Sequence, residues 1–121
     1  MATLFACNTP TIPIPPPSPD PDDVVVSQYP LDATKLVFEG SSDDGRSTFA
    51  ADALVTVFND DTEGGVLATS DANGEFVTDP LTAAVGDRVR IWFETEDGGM
   101  SGELCLIVSL GRQDDGNLCP L

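Results

Sequence analysis

The chain has no histidine, and only one tryptophan, one tyrosine and three cysteines in 121 residues. Each scarcity removes a class of function. Without histidine, Ser-His and Cys-His nucleophilic schemes and His-ligated metals are excluded. Basic residues are equally scarce: Lys and Arg number 5 against 21 Asp and Glu, a formal net charge of −16. A surface of that sign repels phosphate backbones and anionic membranes, which argues against nucleic acid as a partner. It favours solubility and attracts cations, and salt-rich or calcium-rich surroundings would screen its self-repulsion. No apolar run approaches the roughly 20 residues of a spanning helix, so membrane attachment would have to run through lipid. A carboxylate-only hydrolase remains conceivable. Its candidate acids, however, sit beside glycine in turns, and none lies in an apolar stretch that would raise its pKa. The chain is expected to be no enzyme and, calcium aside, to need no cofactor.

No segment sustains helical periodicity, and residues 48–52 make at most one turn. Short β segments fill the body instead, at 22–27, 35–40, 53–58, 65–69, 74–78, 88–94 and 102–109, with a last one near Leu118. Each is bounded by Pro, Gly, Asp or Asn. The run 88–94 alternates: Val89, Ile91 and Phe93 face one side, while Arg88, Arg90, Trp92 and Glu94 face the other. The first set is read as core. Residues 104–108 are apolar on both faces, which predicts a central strand covered on its outer side by the tail or a partner. Seven or eight strands in one domain-sized stretch predict an all-β antiparallel sandwich over residues 23–121.

The N-terminal stretch is different in kind. Leu4, Phe5, Ala6 and Cys7 resemble the lipobox of bacterial lipoproteins, in which a cysteine behind small or apolar residues is acylated and becomes the mature N-terminus. That resemblance implies a lipid on Cys7, a signal-peptide remnant at residues 1–6, and an address outside the cytoplasm, at the bacterial outer membrane or cell surface. The other reading is a frayed terminus with an incidental cysteine. From Asn8 to Asp23 the chain is rich in Pro, Thr, Ser and Asp, with seven prolines between Pro10 and Pro21. It is expected to be a disordered, extended linker (residues 7–22, with Cys7), able at about 3.1 Å per residue to hold the domain up to about 50 Å from a surface. Assigning Cys7 to lipid leaves Cys105 and Cys119 as a disulfide pair; two buried free thiols are the alternative.

The phrases Ala53-Leu54-Val55-Thr56-Val57-Phe58-Asn59, Leu67-Ala68-Thr69-Ser70-Asp71-Ala72-Asn73-Gly74-Glu75-Phe76 and Val85-Gly86-Asp87-Arg88-Val89-Arg90-Ile91-Trp92, with a late Gly99-Met100-Ser101 turn, resemble the bacterial immunoglobulin-like domains of surface proteins. The resemblance covers residues 24–108. It implies an immunoglobulin-like sandwich with a structural or adhesive role; the same phrases occur in carboxypeptidase-regulatory-like and transthyretin-like sandwiches. The extension from Gly111 to Leu121 departs from that pattern and is read as an additional edge strand.

Consecutive antiparallel strands alternate direction, so the loops carrying Asp43 and Asp44, Asp71 and Asn73, and Glu96 and Asp97 should emerge at one end. Their oxygens are a candidate calcium site, with Asp60, Asp61 and Glu63 beside Asp114 and Asp115 as a second candidate at the other end. Acidic solvated turns are the plainer reading. Trp92 is either a platform for a sugar ring or packing on the second face. Two function classes follow: a lipid-anchored structural or adhesive module, and a calcium- or carbohydrate-binding module. A subunit of an extracellular assembly, self-associating through sheet edges, is the third. The protein or glycan partner is not identified by any of these features.

Overall fold

Two antiparallel sheets face each other across an apolar core in the computed structural model, which describes residues 14–120. The strands are β1 (Val24–Gln28), β2 (Lys35–Gly40), β3 (Leu54–Asn59), β4 (Gly64–Thr69), β5 (Phe76–Val77), β6 (Leu81–Thr82), β7 (Arg88–Glu94), β8 (Leu104–Ile107) and β9 (Gly111–Arg112). One sheet runs β9-β1-β2-β5, with β6 also pairing β2; the other runs β4-β3-β7-β8. This is the immunoglobulin-like sandwich expected, its fourth strand lying on the sheet of the third.

Period-2 burial generates the core directly. Leu36 and Phe38 of β2 and Val24 and Val26 of β1 point inward, and Val55, Val57, Val89, Ile91 and Phe93 meet them from the other sheet, all nearly inaccessible to water. Phe49, on the loop from β2 to β3, closes one end by packing edge-on to Phe76 at 4.8 Å between ring centroids. Gly40 is what lets Phe76 lie there: a Cβ on it would stand 2.2 Å from the ring. Of the strand expected at 74–78 only Phe76–Val77 forms, and Pro80, which has no N–H for a ladder, separates it from a second short piece at Leu81–Thr82.

Three features differ from the sequence reading. Residues 104–108 do not form a central strand. β8 ends its sheet, and its half-buried outer positions Cys105 and Ile107 lie under the C-terminal segment and the described part of the tail. That tail is docked from Pro16 onward: Gly102 N donates to Pro16 O at 3.2 Å, Asp20 N donates to Thr48 Oγ1 at 2.8 Å, and Pro19 and Pro21 are buried. A linker ending at residue 22 is therefore shortened at its domain end, since the prolines bury their rings against the sandwich. The C-terminal extension, read as one edge strand, serves both sheets. β9 pairs with β1, Leu118 then forms a bridge to Leu106 on the other sheet, and Cys119 is bonded to Cys105.

Buried polar groups sit where the chain changes direction. Gln113, 1% exposed, donates from Nε2 to Ser109 O and Gly111 O and accepts from Ser109 N, which holds the turn into β9. Asn59 donates to Thr82 O and Asp87 Oδ2, joining the ends of β3, β6 and β7. Arg112 Nη1 donates to Asp22 O at 2.8 Å and Ser41 O at 2.5 Å, so one guanidinium links the tail, the loop after β2 and the C-terminal extension.

Candidate interaction surface

The three loops expected at one end do emerge there, but they do not assemble a cation site. Asp44 accepts from the Ser42 hydroxyl and the Arg46 amide, which hold its carboxyl below the ordinary carboxylate range. The Thr95 hydroxyl, then the Gly99 amide, do the same for Asp97. Asp71 Oδ1 accepts from the amides of Asn73 and Glu75. Asp43 pairs with Arg112 at 3.2 Å. Each carboxylate is held by its own turn or by an arginine, and Glu96 joins none of them. Among the described residues no three Asp, Glu, Cys or His side chains are grouped to hold a metal ion. The second candidate set also separates: Asp60 pairs with Arg88 and Arg90, whereas Asp114 caps the 3-10 turn at Asp115–Asn117 and Asp115 faces Pro19 and Pro21.

Trp92 lies on the outer face of the β4-β3-β7-β8 sheet, half-buried, opposite Thr56. Arg90 fills the space beside it, its guanidinium 5.8 Å from the Trp92 ring and 5.2 Å from that of Phe58. Nε of Arg90 donates to Asp60 at 2.9 Å and Nη1 reaches Glu103 at 3.3 Å; the Asp60 bond foremost raises the guanidinium pKa further. The tryptophan is thus wall as much as platform. Arg90→Ala is expected to lower stability by about 1 kcal/mol, since partly exposed pairs and stacking contribute modestly. It should also shift the emission of this sole tryptophan to the red as water reaches the ring, read by fluorescence alongside urea unfolding.

Sheet edges, which sequence reasoning named only generically, differ sharply from one another. At one margin β9 is two residues long. At the other margin of that sheet, β5 and β6 are two residues each and Pro80 interrupts them. β8 is covered by Leu118, the disulfide and the tail. Short strands, proline and a covering segment are the devices by which sandwiches blunt their edges. β4 has none. Six residues long, without charge or proline, it pairs among the described residues only with β3, whose ladder leaves alternate N–H and C=O groups along the other side of β4 without a partner in the described chain.

The side chains of that strand match its open backbone. Leu67 projects outward, 59% exposed, on the same face as Leu54 and Trp92. Val66 and Ala68 point toward the core yet are only partly buried. Past Thr69 the edge runs into a cleft of about 400 Å³ lined by Glu39, Gly40, Ser41, Thr69, Asp71, Glu75, Phe76 and Val77. No basic side chain lines it, and Glu39, Asp71 and Glu75 take part in none of the ion pairs among the described residues. An uncharged run such as Gly64-Gly65-Val66-Leu67-Ala68-Thr69 in so acidic a chain was the signal available beforehand.

Cys105 and Cys119 form the expected disulfide, with Cα atoms 5.4 Å apart. Cys7, the expected lipid site, lies outside the described residues. No helix of the described chain is long and apolar enough to cross a membrane. The fold and its cross-link define a disulfide-stapled β-sandwich. Beyond that class, no protein-family model, curated protein or solved structure matches the chain.

Proposed function

We propose that the chain is a non-catalytic extracytoplasmic module, anchored by lipid on Cys7 and acting as a structural or adhesive domain through protein contacts. The Cys105–Cys119 bond carries this reading. Structural disulfides persist in oxidising compartments and are rare in the cytosol. Pairing these two also leaves Cys7 as the odd thiol, in the position a lipobox-like sequence assigns to acylation. Several carboxylates fit the same reading: Asp44 and Asp71 bond within their own turns, and Asp60 and Glu103 pair with Arg90. The free edge of β4 is the natural contact surface for such a module, because strand addition needs only unpaired backbone and room beside it.

Intact mass of the protein from its native membrane fraction, with and without reduction, tests the reading. The expected result is a chain beginning at Cys7 with acyl mass added, gaining about two daltons on reduction as one S–S bond becomes two thiols. An unprocessed chain with three free thiols would overturn both the anchor and the compartment.

A further inference from the structure

We propose that the free edge of β4 docks an extended, basic polypeptide segment, which adds as a strand beside Gly64–Thr69 and places a Lys or Arg in the cleft of Glu39, Asp71 and Glu75. This rests on the reading of the chain as a protein-binding module. The edge supplies the affinity: an incoming strand pairs with the backbone groups that β3 leaves free, and its alternate side chains fall on two different surfaces. Those on one side extend the outer stripe of Leu67, Thr56 and Trp92. Those on the other cover Val66 and Ala68, completing the burial that the broken β5–β6 margin leaves open.

Charge selects the occupant. The chain carries −16, and the cleft beyond Thr69 presents three carboxylates without a basic neighbour in its lining. A second copy fits poorly. Antiparallel pairing of two β4 strands brings Glu63 of one toward the Thr69 and Asp71 end of the other, setting like charges face to face, and β4 itself offers no cation. A third candidate, the chain's own tail, is docked over its described residues beyond β8, at the opposite margin of the sheet. An apolar segment with alternating small residues and a terminal Lys or Arg satisfies edge and cleft together.

The test uses two synthetic peptides of alternating Val and Thr, one ending in paired Lys and the other in paired Glu, added to the whole chain and followed by amide chemical shifts and hydrogen exchange. The lysine peptide is expected to shift and protect amides of β4, and the glutamate peptide to leave them unchanged. In the E39Q/E75Q variant, which exchanges one half-buried and one exposed carboxylate for amides of the same shape and leaves the backbone bonds of the Asp71 turn in place, the dissociation constant for the lysine peptide should rise about fivefold, as loss of two partly exposed ion pairs implies. Equal responses to both peptides, no protection of β4, or protection centred on Trp92 or on β8 would overturn the proposal. So would β4 protection that grows with protein concentration alone alongside a dimer in sedimentation, which would make a second copy the occupant. None of these outcomes bears on the mass measurement, so failure here is separable from failure of the compartment reading.

Discussion

The double variant C105S/C119S is expected to unfold at a free energy about 3 kcal/mol lower than the oxidised protein, the value for opening a loop of this length in the chain-entropy model. The two cysteines are 14 residues apart, and their bond holds a segment that pairs first with the edge of one sheet and then with the edge of the other. Between them lie β9, held to β1 through Gly111 and Arg112, and the bridge from Leu118 to Leu106. Arg112 and Gln113 anchor the start of the segment, but its last residues are held by few contacts: the Asn117 side chain, the Leu118 bridge and the Cys119 amide. Without the cross-link they have little to oppose fraying, and β8 then becomes a second open edge. Urea unfolding of the oxidised, reduced and serine forms checks this. Reduced and serine proteins should share a midpoint below the oxidised one, with earlier hydrogen exchange at Cys119 N, whose amide donates to Cys105 O. Coincident midpoints for all three would show that the segment is held by its packing alone.

Gly74→Ala is expected to cost about 3 kcal/mol, from two sources that a control separates. Gly74 has φ +79°, a region where L-residues are strained by about 1–2 kcal/mol. A Cβ there would also stand 2.3 Å from the carbonyl oxygen of Phe49 and 3.0 Å from Cβ of Ser47, a clash with backbone that only a shift of the loop relieves, at about 1–3 kcal/mol. The loop that would shift carries Phe49, whose ring rests on Phe76, so the strain reaches the core. Gly45 has a similar φ of +76° but open space around its Cβ position. Gly45→Ala should therefore show the conformational strain alone, about 1 kcal/mol. Thermal unfolding of both variants measures the difference. Equal losses would mean that the neighbouring loop yields freely and that only backbone strain operates.

These two variants also divide what could be read beforehand from what could not. Asn73 and Gly74 announce a tight turn by composition, because glycine alone adopts positive φ without strain, and a turn closes there with Gly74 N donating to Asp71 O; the strands it joins lie on different sheets, so it is not a hairpin. That the same glycine abuts Phe49, from a loop 25 residues earlier, is a consequence of packing that no local pattern encodes. The calcium expectation turns on the same distinction. Strand alternation correctly placed the loops of Asp43, Asp71 and Asp97 at one end, but proximity of loops is not convergence of oxygens. Asp44, Asp71 and Asp97 found closer partners within their own turns, where the entropy of meeting is smallest, and Asp43 found Arg112.

By itself, the sequence determined the class of fold, the inward residues and the cross-link. Period-2 alternation puts Val89, Ile91 and Phe93 on one face whatever their neighbours are, glycine and proline end strands through backbone sterics, and the pairing of Cys105 with Cys119 followed once Cys7 was set aside. Only the tertiary structure decided the order of strands across each sheet, and with it which edges are open. β8 reads as central by hydrophobicity yet lies at a margin, covered by a tail and a C-terminal segment brought there by long-range contacts. The uncharged composition of β4 is compatible with an edge without specifying one; it becomes an edge because β5 and β6 join the other sheet and no other described strand pairs with its free side. Side-chain periodicity is a property of a strand, whereas an unpaired backbone edge belongs to the whole arrangement of strands.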